Sequence, residues 1–174
     1  ALSQLLLERR VGNYKLPDGW RMVVAGNRMM DRAGTNKMPS HVANRVCHMD
    51  IQFNLDDWME WASNKGIHTA LRAFAKWKDG KMFQEFDPAS DDGVNCTPRT
   101  YAAANSVLHS EKLVAGLITP GWASEFFAFK KIYKSLPSIE EILKNPEKVK
   151  LDDDLGVQYA LIFHVADNAT TDNY

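Results

Sequence analysis

The spacing of apolar positions changes along the chain, and the change divides it. Leu2, Leu5 and Leu6 fit a helical stripe. In "RRVGNYKLPDGWRMVVAGN" the pattern becomes that of a hairpin followed by a strand. Val11 and Tyr14 flank Gly12-Asn13, and Pro17-Asp18-Gly19 is a turn signal. Val23, Val24 and Ala25 then read as a buried strand that runs into Gly26, Asn27 and Arg28. Val42 and Val46, at i and i+4 with Pro39 near the start, predict a short helix over 39–46. "CHMDIQF" alternates: Cys47, Met49, Ile51 and Phe53 share one face, and His48, Asp50 and Gln52 the other. That pattern predicts a half-buried strand.

After Phe53 the helical period takes over. Asn54 is a good N-cap, and Leu55, Trp58, Met59 and Ala62 follow at i, i+3, i+4 and i+7. Asp56 and Asp57 occupy the first turn, where the helix dipole favours them. Gly66 ends that helix. A second carries Ile67, Ala70, Leu71 and Phe74 and ends at Asp79-Gly80. "FDPASDDGVNC" reads as a loop. Thr97 as N-cap and Pro98 at the first helical position open another helix. Trp122, Phe126, Phe129 and Tyr133 stripe a further one. Ser138 and Glu141 form a capping box for the next, which Asn145-Pro146 stops. A last helix is expected around 157–165, before the polar tail "NATTDNY". The chain thus divides near residue 54, with α/β character before it and helices after it.

Composition narrows the class. Hydrophobic residues make up 45% and charged residues 25% of 174 residues, as in a soluble globular protein of one medium domain or one domain with an appendage. A net charge of -1 gives no bulk electrostatic pull toward nucleic acid or a membrane surface, and neither partner is expected. The sequence holds no apolar run long enough to span a bilayer, and no signal peptide is recognisable in it. Cys47 and Cys96 make neither a disulfide framework nor a CxxC pair, which fits reduced thiols in a cytoplasmic protein. The chain opens on Ala1 inside what already looks like a helix, so we expect a piece of a longer polypeptide.

Three polar positions fall at structured places. Asn27 lies at the carboxyl end of the expected strand, where an amide can orient water or meet a phosphate oxygen; as an Asn after Gly it also suits an ordinary turn. Arg45 lies late in the short helix and can offer a forked set of donors to phosphate, or be a solvated surface residue. Arg99 falls at the second helical position after Thr97. A cation there opposes the helix dipole, yet a helix N-terminus with an Arg suits an anion. The histidines at 41, 48, 68, 109 and 164 make no HxxxH or HExxH spacing, and Asp152-Asp153-Asp154 lacks EF-hand spacing, so no metal site is expected.

Together and in this order, these positions resemble the second half of an AAA+ ATPase module, and the MoxR-like group in particular. "LLLERRVGNYKLPDGWRMVVAGNR" looks like the hairpin and strand leading to sensor 1. "MPSHVANRVCHMDIQF" is similar to the helix bearing an arginine finger, followed by the last core strand. "DWMEWASNKGIH" and "NCTPRTY" resemble the start of the lid and the sensor 2 helix. The likeness covers about residues 1–110, and 111–174 fit as further lid helices. It implies a mixed α/β, mostly helical chain. Residues 1–53 would be the carboxyl-terminal part of the α/β core, with a hairpin and about two strands. Residues 54–174 would be an all-α lid domain and tail.

The resemblance also implies roles. Asn27 would be the sensor 1 residue that helps place the attacking water, Arg45 the arginine finger acting on a neighbouring subunit's ATP, and Arg99 the sensor 2 contact to the γ-phosphate. The complete protein would be a cytoplasmic homo-oligomer, a hexameric ring that hydrolyses ATP with Mg2+ and remodels a protein client or works with an adaptor. Departures from the family pattern are visible. Asn27 is followed by Arg28 where many relatives have Pro, which makes Arg28 and Arg32 rivals to Arg45. No GxxxxGK[ST] occurs, since Gly80-Lys81 lacks the upstream Gly, and no apolar run ends in Asp-Glu. The phosphate loop and the Mg2+ ligands are therefore expected outside this chain, and the chain alone is expected to be inactive. The alternative is a non-enzymatic helical module that binds protein without nucleotide.

Overall fold

The computed structural model describes residues 2–26, 38–83, 93–149 and 152–169. The chain forms two compact units, 1–52 and 53–174.

The first unit begins with α1 (Leu2–Glu8) and a two-stranded antiparallel hairpin, β1 (Arg10–Val11) and β2 (Tyr14–Lys15). Arg10 pairs with Lys15 and Val11 with Tyr14 across Gly12-Asn13, as the turn residues foretold. Gly12 sits at φ +56, a conformation that costs a residue without Cβ little. Arg9 then fastens the loop that follows. Its guanidinium donates to the Pro17 carbonyl at 3.2 Å and the Trp20 carbonyl at 2.9 Å, while Leu16 N–H donates to the Arg9 carbonyl. A short α2 (Ser40–Ala43) carries the buried Val42 and packs on α1.

Two expected strands are absent among the described residues. Residues 21–26 and 47–52 run without strand pairing, and all but the half-buried Met22 lie exposed, Val23 at 89% and Ile51 at 93%. The reason is physical: a strand exists only where its backbone groups meet those of a neighbour. The only described ladder is β1 with β2, so alternation at 47–53 has no sheet in which to act. The expected helix over 39–46 is also shorter, ending at Ala43.

The second unit is helical among its described residues. α3 (Leu55–Asn64) starts where Asn54 Oδ1 accepts from the Asp56 and Asp57 amides at 2.8 and 3.1 Å. Gly66, at φ +67, follows its end. α4 (Thr69–Trp77) is capped by the His68 imidazole and leads to Asp79 and Gly80, both at positive φ. A 3-10 turn at Lys81–Phe83 precedes α5 (Pro98–Ala103), and a second at Ala104–Val107 follows it. α6 (Glu111–Ile118), opened by Ser110, was not foreseen, although its buried Val114 and Ile118 stand at i and i+4. α7 (Pro120–Ser135), α8 (Ile139–Lys144) and α9 (Leu155–Asp167) complete the unit, α8 with the reciprocal Ser138–Glu141 box.

The core gathers around α4. Phe74 is fully buried and meets the rings of Trp77, Trp122, Phe126 and Phe129 at centroid distances of 5.5–6.4 Å. Each such edge or tilted pair adds roughly 0.5–1.5 kcal/mol beyond burial. One charge sits at its margin: Arg72, buried, donates to the Ile67 carbonyl, the Ser63 and Thr69 hydroxyls and the Asp167 carboxylate, tying α4 to the end of α9. Among the described residues no helix is long and apolar enough to cross a membrane.

Candidate functional site

The three candidate residues meet different fates. Asn27, with its rivals Arg28 and Arg32, lies outside the described residues. Arg45 belongs to the first unit and Arg99 to the second, and each is considered within its own.

Arg45 stands two residues past the end of α2, in a turn, and its side chain is exposed. Its Nη1 donates back to the His41 carbonyl one turn earlier. With Leu6, Leu7, His41 and Val42 it borders a small cleft too tight to admit a water. The guanidinium therefore caps α2 in this structure. Its remaining N–H groups leave it competent to contact an anion.

Arg99 is set by its helix. Thr97 Oγ1 accepts from the Thr100 amide at 3.2 Å and Thr100 Oγ1 accepts from the Thr97 amide at 2.9 Å, so the start of α5 is a reciprocal box. Pro98 has no N–H to give. Two positions after Arg99, about 200° round the helix, Tyr101 points into the core. Its ring lies 5.7 Å from Trp58 and 5.2 Å from Phe83, and its hydroxyl donates to the Leu71 carbonyl at 2.8 Å. Burial pushes the Tyr101 phenol well above its ordinary 10, with Cys96 adding to the shift, so it stays a neutral donor. Tyr101 thus fixes the rotation of α5, and that rotation leaves Arg99 exposed. Among the described residues the Arg99 guanidinium has neither ion pair nor hydrogen bond. The sequence suggested an anion site shared between this guanidinium and the helix start. A six-residue helix that opens on Pro98 and whose Thr100 amide is already engaged offers little, so the charge of Arg99 is the main resource.

Arg99 does not stand alone. With Pro98 and Ala102 it forms one wall of a groove of about 310 Å3, and Trp58 and Trp61 of α3 form the other. The two indoles lie one helical turn apart, their centroids separated by 6.4 Å. Trp61 shows 45% of its surface to solvent, whereas Trp58 shows 7% and its indole Nε1–H, closed to solvent, meets no acceptor among the described residues. The sequence had placed Trp58 in the core stripe of its helix and had given Trp61 no role. The signal that relates them to Arg99 is tertiary, because α3 and α5 are far apart along the chain.

Among the described residues no group of His, Cys, Asp or Glu side chains is gathered that would hold a metal ion. The groove offers a cation and an aromatic face, a donor set suited to an anionic, planar ligand and not to Mg2+. Compared with known proteins, the chain matches no family model, no curated protein and no solved structure.

Proposed function

We propose that this chain is the carboxyl-terminal part of a MoxR-like AAA+ ATPase, a cytoplasmic enzyme that in its complete form couples ATP hydrolysis to protein remodelling in a ring, expected to be a homo-hexamer. The observation that supports it is Arg99: a guanidinium with neither hydrogen bond nor ion pair among the described residues, held at the surface of a helical unit by a buried Tyr101, in a stretch that resembles the family's γ-phosphate sensor. In this reading Arg99 binds and reports the terminal phosphate. Asn27 orients the attacking water, and Arg45 neutralises transition-state charge in a neighbouring subunit. The chemistry is positioning and charge stabilisation of phosphoryl transfer. ATP is the substrate; its main phosphate cradle and the Mg2+ carboxylates belong to a part of the protein outside this chain.

The test is kinetic, in the complete protein. Arg99→Ala is expected to weaken nucleotide-linked lid closure and Asn27→Ala mainly to lower kcat, while the 174-residue chain alone hydrolyses nothing. Parental hydrolysis rates in both variants would remove the site assignment.

A second reading draws on a different observation. Tyr14, Trp20, Val23, Met49 and Ile51 are all exposed, an apolar display that suits a protein-binding adaptor acting without nucleotide. The gene separates the two: a phosphate-loop sequence encoded upstream of Ala1 supports the ATPase, and a start codon near Ala1 supports the adaptor.

A further inference from the structure

Two apolar faces of the second unit lie open to solvent, and the charges beside them are opposite. One face belongs to α9. Gly156, Ala160 and Leu161 are buried against the bundle. On another side Leu155, Tyr159 and Ile162 follow at i, i+4 and i+7, with Leu155 at 60% and Ile162 at 61% exposure. A helix apolar on both sides is characteristically covered on both. Asp152 and Asp153 stand exposed at the head of this stripe. Asp152 accepts from the Asp154 amide, and the Asp153 carboxylate has neither hydrogen bond nor ion pair among the described residues. The other face is the groove at Arg99, where Trp61 is half exposed and Pro98 and Ala102 add apolar surface. Here the charge is positive. Arg99 and Lys65, the latter exposed one turn after Trp61, hold no ion pair among the described residues, and Asp57, one turn before Trp61, offsets one of the two.

We propose that these two faces meet between copies of the chain: the start of α9 in one copy docks in the Trp61–Arg99 groove of the next. Leu155 covers the Trp61 indole, and the Asp153 carboxylate takes the Arg99 guanidinium as a charge-assisted pair. A half-exposed Trp beside an unpaired Arg is the combination that carries contact energy at protein interfaces. One polypeptide holds both the acidic apolar face and the basic aromatic one, and this complementarity argues for a second copy over an unrelated partner. The faces are different parts of the unit, so the contact is heterologous. Each copy in a dimer leaves one face free, and association runs on unless the rotation closes a ring. The contact goes beyond the ATPase reading and stands without it. Where both hold, a carboxylate on Arg99 withholds that residue from phosphate.

A groove of about 310 Å3 and one short stripe make a small contact, so the dissociation constant is expected on the order of 10⁻⁴ M. Sedimentation velocity of the full 174-residue chain suits that weakness. Between about 10 μM and 1 mM the average mass should grow past the dimer, and added salt should reduce it by screening the pair. Arg99→Glu and Asp153→Lys should each weaken association about tenfold or more, because each sets like charges against one another. Both side chains are exposed, so the core is untouched, and circular dichroism checks that each variant is folded. Mixing the two variants is the decisive measurement. In an equimolar mixture every groove finds an α9 start of opposite charge, so association should return toward the parental level. The proposal is overturned if the parent stays monomeric at about 1 mM, a concentration well above the expected constant. It is equally overturned if either variant associates like the parent, which would place the contact elsewhere, or if the mixture associates no better than its components. ATP hydrolysis by the complete protein is a separate measurement, and its presence or absence leaves the contact standing.

Discussion

At the scale of single residues, His68 shows how a titratable group can serve as a structural part. Its Nδ1 accepts from the Ala70 amide at 3.1 Å and so caps α4, which only a neutral imidazole can do. Desolvation lowers its pKa below the ordinary 6.5, and the nearby cations Lys130 and Arg72 lower it further against the opposing pull of Asp167. Its folded pKa therefore lies below its unfolded one. The cap's contribution is present above about pH 6.5 and is lost as pH falls through the lower folded value. A side-chain cap contributes about 1 kcal/mol, and here less is at stake because the ring keeps much of its surface in water. His68→Asn keeps a capping oxygen and removes the titration. The urea midpoint of the variant should fall less than that of the parent between pH 7 and 5; an equal fall would show that His68 is not the group responsible.

At the scale of elements, α9 illustrates how a cap and a packing contact share one atom's space. Asp154 Oδ1 accepts from Gly156 N–H at 2.6 Å and Val157 N–H at 3.2 Å. A Cβ added at Gly156 would lie 2.9 Å from that oxygen and 3.2 Å from Trp77 Cζ2. Trp77 has little room to yield, since it stacks on Phe129 at 5.4 Å with the Lys78 ammonium over its ring. In an open helix, Gly→Ala stabilises by up to about 1 kcal/mol. Here displacement of the cap and overpacking oppose that gain and together exceed it, so Gly156→Ala is expected to destabilise by about 1–2 kcal/mol. Chemical denaturation followed by circular dichroism checks the sign, and a stabilised variant would refute the packing argument.

The same scale shows why parts of the fold were legible in the sequence and parts were not. The Asn54, Thr97 and Ser138 caps and the stops at Gly66 and Asp79-Gly80 were readable because a cap or a stop is decided within a turn of chain. The segments around Val23 and Ile51 carry strand patterns and form no strands, because a strand is decided by a partner. Arg99 was found as a cation at an unfavourable helical position. Its groove was not, because Trp58 and Trp61 reach it only through the packing of α3 against α5 around Tyr101.

At the scale of the whole molecule, the proposed enzyme makes a demand that no single subunit can meet. An arginine finger acts across a boundary, so loss of Arg45 should leave the subunit's own nucleotide site filled. In this structure the Arg45 side chain donates to the His41 carbonyl and holds no ion pair among the described residues, so its loss removes one helix-capping bond and no ion pair. In the complete protein Arg45→Ala is accordingly expected to bind ATP nearly normally and to hydrolyse it about 10³-fold or more slowly, the usual share of a finger in phosphoryl transfer. Mixing is the decisive measurement. A subunit lacking its own phosphate loop but keeping Arg45 should restore activity to an Arg45→Ala partner, because each supplies what the other lacks. A solvated surface Arg would give no rate loss and nothing to restore, and a monomer could not be rescued at all. If Arg45→Ala kept full activity while Arg28→Ala or Arg32→Ala lost it and could be rescued, the ring would stand and the finger would be Arg28 or Arg32.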